Sequence, residues 1–146
     1  SRGGLLVALV RRADEREKIW EEFAKAMQKP TAKERLMACL DAWLDFVPKI
    51  LPVARDLIRL RAKDEEAGNA WSDRMLELRK FYVTVMEDLN NENQLAPNWT
   101  PQQAAEFMWT HSSVQVWDLL TGDCGWSEEN AKASIRTNIS QMISAS

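Results

Sequence analysis

Apolar residues recur along this chain every three or four positions rather than every second one, the period of α-helices and not of strands. The first stretch predicts a helix over 4–27. Leu6, Leu9, Ala13, Trp20, Ala24 and Met27 form its stripe, with Leu5, Ile19 and Phe23 beside them. Arg11, Asp14, Glu15, Lys18, Glu21, Glu22 and Lys25 occupy the other side. Uninterrupted, such a rod is roughly 35 Å long. Pro30 ends it, and Thr31 with Glu34 has the form of a capping box. A second helix follows, with Leu36, Cys39, Leu40, Trp43, Leu44 and Val47 facing inward. It is expected to stop or kink at Pro48, which lacks an N–H and crowds the preceding turn. Pro48 and Pro52 then frame a third, shorter helix to about residue 60, striped by Ile50, Val53, Ala54, Leu57 and Ile58.

The charged run 61–66 turns the chain into a long fourth helix over 65–89. Its seam is Trp71, Met75, Leu78, Tyr82, Val85 and Leu89, and Gly68 weakens its first turns. The Asn-rich run 90–93 suits its end, because Asn tolerates the left-handed cap position. The fifth helix has the clearest start: Thr100 as cap, Pro101 at the first helical position, Gln103 at the box position and Trp99 placed to staple onto Ala104. It is expected to run to residue 120. After a turn at 121–125, Trp126 and the Ser127 cap open a last helix to about 143. The fold class is therefore all-α, with about six helices and no strand.

At 146 residues, 45% of them hydrophobic, the chain is long and apolar enough for one domain with its own core. The net charge of −3 argues against duplex binding by the domain as a whole. Residues 1–65 hold 14 Lys and Arg against 11 acidic residues; residues 66–146 hold 5 against 11. A duplex is tolerated near the first part and repelled by the second. Cys39 and Cys124 are far apart and in no CxxC or Cys/His pattern, which points to a reducing cytoplasm and to neither metal nor cofactor. Nothing approaches the roughly 18 apolar residues of a membrane helix. His111 is the only histidine, with no partner at the spacing of a metal site or a Ser/His pair, so no catalytic residue is assigned. Asp41, Asp45 and Arg55 read as solvated helix faces rather than acid–base groups. Cys39 reads as a small buried hydrophobe.

Both ends of the chain carry a family likeness. Thr100-Pro101-Gln102-Gln103-Ala104-Ala105-Glu106-Phe107-Met108-Trp109, then Trp117-Asp118-Leu119-Leu120, then Cys124-Gly125-Trp126-Ser127-Glu128, resembles the last two helices of TetR-family transcriptional regulators. Ser1-Arg2-Gly3-Gly4-Leu5-Leu6-Val7-Ala8-Leu9 resembles the segment after the recognition helix, where the linker helix begins. Gly3 departs from the family, which often has an acidic residue there. The resemblance implies a regulatory domain that binds a small effector, dimerises through a four-helix interface of its last two helices, and controls a helix-turn-helix head expected before Ser1. Operator DNA is then contacted through that head. Arg2 matches a basic position that reaches a DNA phosphate.

The resemblance also places a cavity among the second, fourth and fifth helices. Trp43, Phe46, Leu57, Trp71, Met75, Leu78, Tyr82, Met108, His111 and Gln115 are its candidate lining, suited to an apolar or aromatic effector. The fifth helix is apolar nearly all round, which requires burial on several sides. Phe107, Val114 and Trp117, with Ala131, Ile135, Ile139 and Met142 of the last helix, are the candidate homodimer face. The wheel leaves open which side of the fifth helix meets the cavity and which the partner. Two other readings stand beside this one: a dimerisation module with a filled core, and a helical enzyme or carrier with an apolar cavity. Arg11, Arg12 and Arg16 mark the end of the first helix that leads toward the head.

Overall fold

A computed structural model describes residues 4, 5, 7–9, 11, 12 and 18–144. Those among 4–12 are helical. Beyond them run α1 (Ile19–Ala26), α2 (Ala32–Leu60), α3 (Glu65–Asn91), α4 (Pro101–His111), α5 (Val114–Asp118), a π-helical turn (Leu119–Asp123) and α6 (Glu128–Ser140). Among the described residues the one β-pairing is an isolated bridge between Leu95 and Ile143. The all-α expectation therefore holds. α2 is the central element: it packs on α1, α3, α5 and α6, while α4 packs on α3 and α6.

Helix starts follow their caps. Thr31, Asp64, Thr100, Ser113 and Ser127 each accept the backbone N–H three residues on. Thr31 and Glu34 form half of the expected box: the hydroxyl accepts the Glu34 N–H, and the Glu34 carboxylate accepts from that hydroxyl at 3.0 Å rather than from the cap backbone. A long-range lock adds to it. Arg35 holds Asp88 through Nε at 2.6 Å and Nη2 at 3.0 Å, and reaches Glu92 at 2.5 Å. Glu92 in turn accepts the Ala32 N–H at 3.0 Å. The start of α2 and the end of α3 are thus tied together. Asn93, at φ 58°, closes α3 in the left-handed region as its residue type allows.

Three boundaries differ from expectation, each for a physical reason. The first helix is not continuous to 27: Lys18 stands at φ 55°, ψ 45°, and α1 begins anew after it. Pro48 and Pro52 do not divide α2. Each costs on the order of 3 kcal/mol in a helix interior, but they lie four apart on one face, where Pro48 is half-buried and Pro52 exposed. The buried stripe of Leu44, Val47, Ile50, Ala54 and Leu57 continues in phase across both. Burial of about 1.5–3 kcal/mol per large side chain offsets the loss. The fifth expected helix is broken at Ser112 and Ser113. Ser112 Oγ donates to the Met108 carbonyl at 2.6 Å, and Ser113 leaves helical geometry to cap α5.

Gly68 has a use that helix propensity hides. A Cβ there would meet the Arg61 carbonyl oxygen at 2.7 Å. Propensity alone predicts that Gly68→Ala stabilises by roughly 1 kcal/mol. The backbone contact cannot swing aside, so the substitution is expected to lower the urea midpoint instead. A raised midpoint would show that the 61–64 turn yields freely.

Candidate functional site

α1, α2 and α3 meet around a small cavity. α2 presents Trp43, Phe46, Ile50 and Ala54, whose spacings of three and four residues put them on one face. α3 adds Trp71, Arg74, Met75, Glu77 and Leu78; α1 adds Ile19, Trp20 and Phe23. The rings around it fall into two groups. Trp43 and Phe46 lie 5.8 Å apart, Phe23 stacks on Phe81 at 4.8 Å, and Trp20 stands edge-on to both of the latter at 5.2 and 5.6 Å. Trp20 is 41% exposed and sits at the mouth. The open space is about 40 Å³. That holds water, but it is far below the few hundred Å³ of a typical ligand pocket.

Half of the expected lining comes together here: Trp43, Phe46, Trp71, Met75 and Leu78. Leu57, Tyr82 and Met108 are fully buried away from the cavity. His111 and Gln115 lie elsewhere on the surface. His111 stacks on Phe107 at 3.8 Å and its Nδ1 is 2.9 Å from the Phe107 carbonyl, because residues four apart share a helix face. Both line a shallow groove with Trp99, whose ring meets Phe107 edge-on at 5.1 Å. Gln115 is exposed and borders a different groove, beside Arg55 and Leu119. The first helix, rather than the fifth, supplies the third wall. Ile19, Trp20, Phe23, Ile50, Ala54, Arg74 and Glu77 were not foreseen there. For Arg74 a signal existed: it stands three residues after Trp71 and one before Met75, on the same helical face.

The expected partner-facing residues need a sharper correction. Val114, Trp117, Ala131, Ile135, Ile139 and Met142 are all buried within the single chain, so they have almost no area left to give a partner. A continuous wheel through 101–120 loses its phase at the Ser112–Ser113 break, which separates Val114 and Trp117 from half-exposed Phe107. Arg2 and Arg16 lie outside the described residues.

A single hydrogen bond joins the cavity wall to that break. Trp43 Nε1–H donates to the Ser112 carbonyl at 2.7 Å in the interior. Tyr82 is fully buried with its hydroxyl beside the Ser112 side chain. Burial holds that phenol well above its ordinary pKa. Burial also pushes the Cys39 thiol up to about 12, helped by the Asp88 charge. Its Sγ rests 3.7 Å from Met27 Sδ, the packing of a small hydrophobe. Asp41, Asp45 and Arg55 are more than solvated faces: they pair with Arg136, Lys132 and Asp118, tying α2 to α6 and α5. Among the described residues no group of three or more His, Cys, Asp or Glu could hold a metal, and no helix is long and apolar enough to cross a membrane.

No family model and no curated relative matches the sequence. A solved structure does: that of a protein from Rhodococcus sp. named as a candidate TetR-family transcriptional regulator, at a TM-score of 0.74 over 99% of this chain and 76% of the other. The chain has a TetR-like fold. At 16% identity the likeness concerns the fold, and the side chains of the cavity are this chain's own. In this TetR-like domain Trp43→Phe keeps an aromatic ring but leaves a buried carbonyl unpaired, a loss of about 1–3 kcal/mol. Chemical denaturation is expected to show that loss for Trp43→Phe and a change within about 0.5 kcal/mol for Trp126→Phe at the half-exposed surface. Equal effects would mean that the Trp43 bond contributes nothing.

Proposed function

We propose that this chain is the effector-binding and dimerising part of a cytoplasmic transcriptional regulator, a repressor in the simplest case, and that it performs no catalysis. One observation carries the reading: an aromatic-walled cavity among three helices in a chain of TetR-like fold. Operator DNA is assigned to a helix-turn-helix domain outside residues 1–146, in keeping with a net charge of −3. The effector acts by population shift, binding one spacing of the two heads of a dimer better than the other; equal affinity would shift nothing. α1 is the natural lever, since it forms one cavity wall and follows the helical residues that include exposed Arg11 and Arg12.

Phe107, Trp99 and His111 are assigned to the partner contact, as the aromatic strip that α4 leaves half-exposed. A second reading has its own support. Trp43, Trp71 and Met108 are buried and the cavity is small, as a dimerisation module with a filled core requires.

Native mass spectrometry of freshly purified chain separates these readings. A dimer retaining a small molecule is the expected result. A dimer that neither retains nor binds any apolar compound would favour the filled-core module, and a monomer at micromolar concentration would overturn both.

The partner surface is tested separately. Phe107→Arg is expected to shift sedimentation toward monomer with little change in unfolding. Ile139→Ala, wholly inside the chain, is expected to lose about 2–5 kcal/mol of folding stability. Dissociation by the second variant and not the first would return the interface to the inner face of α6.

A further inference from the structure

Another groove lies outside the cavity, between α3 and the first turn of α4. α3 presents Leu76, Arg79, Lys80 and Val83, whose spacings of three, four and seven residues put them on one face, and α4 adds Gln102. The open space is about 330 Å³, enough for a small organic molecule. Leu76, 42% exposed, and half-buried Val83 supply apolar surface on either side of the two cations. Arg79 is held in place without being neutralised. Its guanidinium carbon lies over the Trp109 ring, 4.9 Å from the centroid. Its Nε–H is shut off from solvent and meets no acceptor. Among the described residues the side chains of Arg79 and Lys80 form no hydrogen bond and no ion pair. Glu106, four residues beyond Gln102, accepts from the Gln102 amide at 3.4 Å and lines the separate groove beside Phe107. An aromatic ring orients a guanidinium and leaves its N–H edge free. A buried donor without an acceptor costs free energy. The groove thus offers an oriented arginine fork, a second cation beside it and apolar surface at both ends.

We propose that this groove binds a small organic phosphate monoester, its phosphate on Arg79 and Lys80 and its apolar substituent on Leu76 or Val83. Two unpaired cations call for two negative charges, and a phosphate monoester carries about −1.5 to −2 near neutral pH. Its oxygens accept both from a planar fork and from a point charge. Residues 66–146 hold 5 Lys and Arg against 11 acidic residues, so a polyanion such as duplex DNA is repelled where a small ester is not. The inference does not depend on the cavity or on its reading as the effector site.

The test uses chain 1–146 at pH 7 with phenyl phosphate, benzoate and benzamide, which carry two charges, one and none on the same ring. Affinity is read by calorimetry. The site is read by the Arg79 Nε–H signal in chain made with nitrogen-15-labelled arginine, assigned by its loss in Arg79→Lys. Phenyl phosphate is expected to move that signal and to bind severalfold tighter than benzoate, with no binding of benzamide. Arg79→Gln and Lys80→Gln should each weaken phenyl phosphate about tenfold, or about 1.4 kcal/mol. Lys80 is exposed, so its variant decides the matter if Arg79→Gln does not fold. Leu76→Ser should bring the ester down to the level of inorganic phosphate. Failure of phenyl phosphate to bind, or an affinity indifferent to both cations, would overturn the site. Inorganic phosphate binding the wild-type chain as tightly as the ester would overturn the role of Leu76 and Val83. Duplex DNA binding more tightly than the ester, and lost with the same two cations, would overturn the small-molecule assignment.

Discussion

The indole N–H of Trp43 and the carbonyl of Ser112 constrain each other across 2.7 Å of protein interior. Both groups need that bond. The carbonyl belongs to the residue that ends α4, and its helical partner is lost where the chain breaks. The indole N–H is carried into the core by a ring that also forms cavity wall. A buried polar group left unpaired costs about 1–3 kcal/mol. The break in the penultimate helical region and the shape of the cavity are therefore set together. Neither α2 nor the α4–α5 junction moves without the other.

Around this bond the ties are uneven. α2 is fastened to α3 by Arg35, Asp88 and Glu92, to α5 by Arg55 and Asp118, and to α6 by two ion pairs. Exposed ion pairs contribute little each, but together they hold register. α1 is different. Among the described residues no hydrogen bond or ion pair joins an α1 side chain to another helix; its contacts are apolar, through Phe23 and Trp20 to Phe81. Non-directional contact permits sliding where hydrogen bonds do not. α1 also follows directly on Lys18, held in the left-handed region that costs a non-glycine residue on the order of 1 kcal/mol. The least fastened wall of the cavity is thus the one nearest the start of the chain.

Local chemistry was the most legible part of the sequence. Thr31, Thr100 and Ser127 cap where their side chains predict, because a cap is decided by a few neighbouring residues. Pro48 and Pro52 misled because their penalty is local while the compensation, a stripe buried in the core, is not. The Ser112–Ser113 break was hidden for the opposite reason. Two serines in an apolar run are a weak signal until Trp43, some seventy residues earlier, takes up the released carbonyl. That break in turn spoiled the placing of Gln115, and of Val114 and Trp117, since a helical wheel is only as good as the continuity of its helix.

The two apolar sides of α4 illustrate the same limit and its resolution. From spacing alone, Met108 and Phe107 are two apolar residues 100° apart on one helix, with no way to rank them. Burial does rank them: Met108 is sealed inside the chain, while Phe107 is half-exposed between Trp99 and His111. A side chain already fully buried has no apolar area left to contribute to association, whatever its type. Area for a second subunit must come from what folding leaves uncovered. On α4 that is the aromatic strip, in which His111 serves as a flat surface for Phe107 and not as a polar group for the cavity.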